Sequence, residues 1–359
     1  MMRTSRAFMT IVALSLGVLG QSLHSQQPQA PARPGDDQAF RFKSGVELIN
    51  VTATVSDASG RFVPGLHQDD FIVYEDDQPQ TVTHFSAERV PVSLGIALDT
   101  SGSMAGEKMK EAQGAIDRFL FELLDKQDEI FLYTFANHPT LVQDWTTDRQ
   151  LLSRAIKGMS ANGGTAMFDA VTDAVPLLSK GRNAKKALVV ISDGRDTSST
   201  TTVREARTAI RATEALVYAL GIDCGNEPTR RLRNFEQRRG PGIIPIPFPF
   251  PPSPGGRRGY PPIPTPPSGP GDRSWARCND PVDITALRDL TDDSGGRTEI
   301  VRDAHDLNPA TASVADELSK QYYLGYPSAG KKDGKWHNIR VDVRNHAYRV
   351  RARRGYVAS

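Results

Sequence analysis

The segment Val92–Leu98 constrains the fold most, because it is apolar at almost every position and ends in Asp99. A strand can be apolar throughout only if both of its faces are buried, as in a parallel sheet covered by helices. Further strand and helix patterns alternate along the chain. The predicted elements are a helix from about Met109 to Leu123, strands 130–135, 140–143, 187–192, 215–222 and 297–301, and helices 147–158, 166–179, 202–214, 282–292 and 308–320. The sequence therefore predicts an α/β fold with a doubly wound, mostly parallel sheet and helices on both faces.

Strand patterns flank this α/β unit at both ends. Residues 40–88 alternate from Val46 onward and contain the short strand signals Phe71–Tyr74 and Thr81–Phe85. Residues 321–359 contain further strand signals at 322–326, 337–344 and 348–352. Each set is too small for a stable sheet of its own. We expect the two sets to pair in one small β-sandwich, with the α/β unit of residues 90–320 inserted between them. Two separate extensions of the central sheet are the alternative.

The first residues have the pattern of a secretory signal peptide, which we assign to residues 1–25. Arg3 and Arg6 precede an apolar run, Ala7–Gly20, that is shorter than the roughly 20 residues needed to span a bilayer as a helix. Residues 26–39 have the composition of a disordered leader. We expect export to the periplasm or the extracellular medium, with no integral membrane span after cleavage. An uncleaved N-terminal anchor is the alternative.

Residues 226–277 interrupt the α/β pattern with a proline- and arginine-rich insert. The insert holds 14 of the 25 prolines, and nine arginines against three acidic residues. Such a composition favours polyproline II or disorder. Cys224 and Cys278 flank the insert and are the two cysteines of the chain. In an exported protein they predict a disulfide across the base of the insert, with two free thiols as the alternative.

Polar side chains follow the buried strands at three places. The strand that begins at Val92 ends in Asp99 and is followed by Ser101 and Ser103. Thr165 follows a glycine pair and precedes a helix, and Asp193 directly follows the strand 187–192. Ligands of open α/β sheets bind at the carboxyl ends of the strands. Two carboxylates and three hydroxyls are oxygen ligands suited to a hard cation such as Mg²⁺ or Ca²⁺. The sequence therefore predicts a divalent-cation site at these five residues.

The Asp-x-Ser-x-Ser pattern, the distant Thr165 and Asp193 together resemble the metal-ion-dependent adhesion site of von Willebrand factor type A domains. The order of elements over residues 90–320, without the insert, resembles that family's fold. The segments 91–94 and 353–356 also resemble bacterial exported proteins of the superfamily. The resemblance implies direct ligation by the two serines and Thr165, with Asp99 and Asp193 holding waters or the serines. It further implies Mg²⁺, with Mn²⁺ or Ca²⁺ as alternatives, and an open position that attracts an acidic residue of a partner protein.

These observations predict an exported, metal-dependent protein-binding module of adhesion type rather than an enzyme. A structural or assembly component of the cell envelope with a structural metal is the first alternative, and a hydrolase is the second. Ser101 lacks the Gly-x-Ser-x-Gly spacing of a hydrolase elbow, and the sequence contains no glycine-rich phosphate loop with a lysine. The 44 basic and 42 acidic residues are too balanced for a dedicated nucleic-acid binder, so we expect no nucleic-acid partner.

Overall fold

The computed structural model describes residues 48–223, 282–328 and 332–358. Its strands are β1 Leu48–Ser56, β2 Phe71–Glu75, β3 Gln78–Gln80, β4 His84–Ser86, β5 Val92–Asp99, β6 Glu129–Phe135, β7 Pro139–Thr146, β8 Lys185–Ser192, β9 Leu216–Ile222, β10 Thr298–Val301, β11 Tyr322–Pro327, β12 Trp336–Val343, β13 Arg349–Arg351 and β14 Gly355–Val357. Its α-helices are α1 Glu107–Arg118, α2 Arg149–Lys157, α3 Met167–Leu178, α4 Val203–Arg211, α5 Ile284–Thr291 and α6 Leu307–Lys320.

The central sheet of the described residues has six strands in the order β10-β9-β8-β5-β6-β7. β5 lies between β6 and β8 and pairs with both in parallel, so that Ile96 is opposite Leu132 on one side and Val189 on the other. β7 is the exception, because it runs antiparallel to β6 at one edge. The predicted α/β fold with a mostly parallel sheet is confirmed.

Both faces of this sheet are covered by helices, which explains the continuous apolar strands. Leu94, Ile96 and Leu98 of β5 pack in one core with α1, α2 and α6. Ala97, on the other face of the same strand, packs in a second core with α3, α4 and α5. All eight residues of β5 are buried. Because successive side chains of a strand point to opposite faces, burial on both faces requires apolar residues at nearly every position.

The flanking strands form two four-stranded sheets, with the orders β13-β1-β11-β4 and β14-β12-β2-β3. Val51 of β1 is opposite Leu324 of β11, and Val73 of β2 is opposite Val341 of β12, so each sheet contains strands from before and after the α/β unit. Their apolar faces share one core. The predicted β-sandwich of strands from both ends of the α/β unit is confirmed.

The strand boundaries in the sandwich differ from the predicted ones. The segment predicted as a strand from Thr81 begins only at His84 and ends at Ser86. β3 and β14 were not predicted, because Gln78–Gln80 and Gly355–Val357 contain no alternating apolar pattern of their own. Pairing with β2 and with β12 orders them.

Helix α6 connects the central sheet to the sandwich through the buried carboxylate of Glu317. Its Oε1 accepts hydrogen bonds from the hydroxyl of Thr54 in β1 at 3.2 Å and from that of Tyr218 in β9 at 2.9 Å. Arg351 of β13 also donates to Oε1, and Arg297 lies 3.2 Å from Oε2. The described residues 48–223, 282–328 and 332–358 lie in one compact unit. The domain boundaries near residues 88 and 320 stay predictions.

Several predicted features lie outside the described residues. These are the signal peptide at 1–25, the leader at 26–39, the insert at 226–277 and the disulfide between Cys224 and Cys278. Among the described helices, none is both long enough and apolar enough to cross a membrane.

Candidate metal centre

Asp99, the last residue of β5, is fully buried at the carboxyl end of the central sheet. Its Oδ1 accepts a hydrogen bond from the backbone N–H of Ser101 at 2.8 Å, and its Oδ2 accepts one from the hydroxyl of Ser192 at 2.5 Å. Burial raises the pKa of the Asp99 carboxyl to about 6, although these hydrogen bonds oppose the shift. Asp99 therefore fixes the backbone of the loop that follows β5 and joins it to the end of β8.

A chain of hydrogen bonds runs from this loop to Asp193, which directly follows β8. The hydroxyls of Ser101 and Ser103 are 3.0 Å apart, and the Ser103 hydroxyl donates to Oδ1 of Asp193 at 2.7 Å. Ser103 lies in a short 3-10 turn, Gly102–Met104, which turns its side chain back toward β8. The Asp193 side chain is completely shielded from solvent. The structure thus brings four of the five predicted residues into one hydrogen-bonded set.

Thr165, the fifth predicted residue, lies on the loop before α3 and, like Ser103, lies close to Gly194. A Cβ placed on Gly194 would be 3.7 Å from the Thr165 hydroxyl oxygen and 3.8 Å from that of Ser103. Both hydroxyls therefore border one small space beside Gly194. The loops are also joined directly, since the N–H of Gly102 donates to the carbonyl of Gly163 at 2.9 Å.

Residues outside the five predicted ones hold the Thr165 loop in place. The carboxamide oxygen of Asn137 accepts from the N–H of Gly164 at 2.7 Å, and the hydroxyl of Thr197 accepts from the N–H of Thr165 at 3.0 Å. Asp196 accepts from the N–H of Phe168 at 2.9 Å, at the start of α3. A polar residue beside a glycine-rich loop is too common a pattern to reveal such contacts.

Lys108, in the first turn of α1, is the charged residue that sequence reasoning missed at this place. Its ammonium forms an ion pair with Oδ2 of Asp193 and donates to the carbonyl of Ser103 at 3.2 Å. The pairing joins residues that are 85 positions apart. Its position one helical turn after the Asp-x-Ser-x-Ser loop was the available signal.

The oxygens assembled here suit a hard divalent cation. Two buried carboxylates, Asp99 and Asp193, lie behind three hydroxyls, and such oxygen sets are what Mg²⁺, Mn²⁺ and Ca²⁺ bind in proteins. One of these carboxylates, that of Asp193, already pairs with a cationic group, the ammonium of Lys108. The donor set is therefore compatible with the metal site that the sequence predicted.

A second group of titratable side chains, in the sandwich, brings Glu75, Asp76 and His337 together. The ring nitrogens of His337 lie 2.7 Å from Oδ2 of Asp76 and 3.2 Å from Oδ1 of Asp333. Burial lowers the pKa of His337, but these two carboxylates outweigh that effect and hold the pKa above its usual value. Each ring nitrogen of His337 thus contacts a carboxylate, and we interpret the cluster as an ion-paired histidine.

Comparison with known proteins finds similarity to one domain family over the part of the chain that holds the candidate metal centre. Residues 94–195 match the family model of the von Willebrand factor type A domain. The chain is 25% identical over 219 residues to inter-alpha-trypsin inhibitor heavy chain H4 from Bos taurus, which covers 50% of this chain and 24% of that protein. The chain thus spans about a quarter of the length of this curated relative.

Two solved structures are also similar. The vWF domain of the type V pili tip protein Mfa5 from Porphyromonas gingivalis is 26% identical, with 31% of this chain and 40% of that chain covered and a TM-score of 0.30. The von Willebrand factor type A protein from Catenulispora acidiphila is 13% identical, with 89% and 74% covered and a TM-score of 0.45. Residues 94–195, which include most of β5, all of β8 and the candidate metal centre, thus match the von Willebrand factor type A domain family.

Proposed function

We propose that this chain is an exported binding module that captures a partner protein through a divalent cation held at the candidate metal centre. The observation that carries the proposal is the hydrogen-bonded set of Asp99, Ser101, Ser103 and Asp193 at the carboxyl ends of β5 and β8. Thr165 faces the same space across Gly194. Mg²⁺ is the cation we favour, with Mn²⁺ and Ca²⁺ as alternatives.

The roles of the residues follow from their hydrogen bonds. Ser101, Ser103 and Thr165 offer neutral hydroxyl oxygens as direct ligands. Asp99 orients the loop through the N–H of Ser101. Asp193 accepts a hydrogen bond from the Ser103 hydroxyl, which turns the hydrogen of that hydroxyl away and leaves a lone pair of its oxygen for a cation. In this arrangement the two carboxylates position the hydroxyls, and the hydroxyl oxygens bind the cation.

This arrangement favours an acidic partner. A divalent cation bound mainly by neutral hydroxyls supplies a positive charge that a partner carboxylate can bind. The hydroxyls and carboxylates of this chain position that charge at the carboxyl end of the sheet, where the connecting loops meet. The partner class we propose is therefore a protein that presents an exposed Asp or Glu.

The same contacts favour a binding role over hydrolysis. The hydroxyl of Ser101 is hydrogen-bonded to the hydroxyl of Ser103. A nucleophilic serine requires a general base within hydrogen-bond reach, and a second serine hydroxyl cannot serve as one at neutral pH. Ser101 is therefore better suited to ligation than to nucleophilic attack.

Partner capture tests this proposal. The immobilised chain is incubated with an envelope extract of the source cells in Mg²⁺, and bound proteins are eluted with EDTA. We expect a partner that is retained by the wild type and by Asp316→Ala, which removes an exposed carboxylate on α6, but not by Asp99→Ala or Ser101→Ala. A partner retained equally by all four proteins in EDTA would contradict the proposal. Circular dichroism confirms that the variants are folded.

A further inference from the structure

Lys108 lies where its charge acts directly on the candidate metal centre. It is the second residue of α1, which begins at Glu107, four positions after Ser103. Its ammonium pairs with Oδ2 of Asp193 and also donates to the carbonyl of Ser103. The Lys108 side chain is only 14% exposed, and that of Asp193 is not exposed at all.

The charges of the centre explain what this ammonium does when no metal is bound. Asp99 and Asp193 place two buried carboxylates at the ends of neighbouring strands. A buried charge without a counter-charge is strongly destabilising. The ammonium of Lys108 supplies such a counter-charge for Asp193, whose other oxygen accepts a hydrogen bond from a neutral hydroxyl, that of Ser103.

We propose that Lys108 is a built-in competitor of the divalent cation and sets the affinity of the centre for it. This inference rests on the proposed function. Both cations are attracted by the same carboxylate of Asp193, and a divalent ion bound at the hydroxyl of Ser103 would lie close to the ammonium. Like charges at short range repel strongly where water is excluded. Binding of the metal must therefore weaken the Lys108–Asp193 ion pair, and the ion pair must weaken metal binding.

This competition has a consequence for stability without metal. The Lys108–Asp193 ion pair keeps the centre folded in the absence of a divalent cation, and the cation takes over that role when it binds. Replacing the ammonium by an apolar group removes the competitor and also removes the counter-charge. The variant should then bind metal more tightly but depend on it more strongly for stability.

The chain offers a matched set of variants. Lys108→Met keeps the length of the apolar stem and removes the charge. Lys108→Arg keeps the charge. Lys110→Met removes a lysine two positions along the same helix, where the side chain is exposed.

Isothermal titration calorimetry of the full EDTA-stripped chain with Mg²⁺ tests the inference. We expect the dissociation constant of Lys108→Met to be at least about tenfold lower than that of the wild type, because a like charge is removed from beside the ion. Lys110→Met and Lys108→Arg should stay within about threefold of the wild type, because each retains a positive charge at position 108. Thermal unfolding gives the second measurement. In EDTA the midpoint of Lys108→Met should fall below that of the wild type, and saturating Mg²⁺ should raise it by more than it raises the wild type.

The outcomes separate this inference from the proposed function. An unchanged or weaker Mg²⁺ affinity in Lys108→Met, with normal binding by the wild type, overturns the inference alone, because Lys108 would then orient Asp193 rather than compete. Absence of Mg²⁺ binding by both proteins overturns the proposed function and the inference with it. If Lys108→Met does not fold without metal, Lys108→Gln, which keeps a hydrogen-bond donor at this position, replaces it in both measurements.

Discussion

Glu317 should be the residue on which the attachment of the sandwich to the central sheet depends most. Its buried carboxylate accepts hydrogen bonds from Thr54 in β1 and Tyr218 in β9, and it lies between Arg297 and Arg351. The substitution Glu317→Gln keeps the shape and removes the charge. The hydrogen bonds from the two hydroxyls then lose a charged acceptor, and two guanidinium groups lose their shared counter-charge.

The expected loss follows from these contacts. A hydrogen bond to a charged group contributes about 1 kcal/mol more than one to a neutral group. Each of the two arginines is partly exposed, so we assign about 0.5 kcal/mol to each ion pair. We therefore predict that Glu317→Gln lowers the free energy of unfolding by about 3 kcal/mol.

Urea unfolding measures this change, and the neighbouring Asp316 provides the control. Asp316 is exposed and pairs with Lys320 along the surface of α6, so Asp316→Asn should cost about 0.5 kcal/mol or less. Added salt should reduce the Asp316 effect and leave most of the Glu317 effect, because buried pairs are screened less. A loss for Glu317→Gln no larger than that for Asp316→Asn would refute the reasoning.

Two further predictions concern local contacts. The Thr202 hydroxyl accepts from the first turn of α4 in a capping box, so Thr202→Ala should lower the free energy of unfolding by about 1 kcal/mol in urea titrations, and an unchanged midpoint would contradict the cap. His337 has a raised pKa because Asp76 and Asp333 outweigh the effect of burial, and Glu75 lies 4.0 Å from the same ring. Its stabilising contribution should be complete below its unfolded pKa of about 6.5 and be lost as the pH rises through the higher folded value. The free energy of unfolding of the wild type, measured between pH 5.5 and 8.5, should thus fall more than that of His337→Gln, and parallel pH profiles would contradict the ion pairs.

The parts of the fold that the sequence predicted are those whose signal is local. β5 and β8 are buried on both faces, and burial on both faces requires the consecutive apolar residues that are visible in the sequence. The alternating burial of β1 is likewise visible in its own residues. The loops after β5 and β8 could be placed at one edge of the sheet because parallel strands end together.

The features that the sequence did not predict depend on contacts between distant residues. The position of Lys108 shortly after the Asp-x-Ser-x-Ser loop indicates that it lies near the centre, but its pairing with Asp193 depends on β5 and β8 being neighbours in the sheet. Glu317 of α6 contacts Thr54 of β1 and Arg351 of β13, which are far from it in sequence. β14 is ordered as a strand by its pairing with β12. Such contacts follow from the assembled sheets rather than from local propensity.

The central claim is that Asp99, Ser101, Ser103, Thr165 and Asp193 hold one divalent cation. The most direct test is a titration of the EDTA-stripped chain with Mn²⁺, in which electron paramagnetic resonance records the free ion. The account predicts one tightly bound ion for each wild-type chain, lost in Asp99→Ala and retained in the surface control Asp316→Ala. A bound ion that survives Asp99→Ala and Ser103→Ala, or a wild type that binds none, would contradict it.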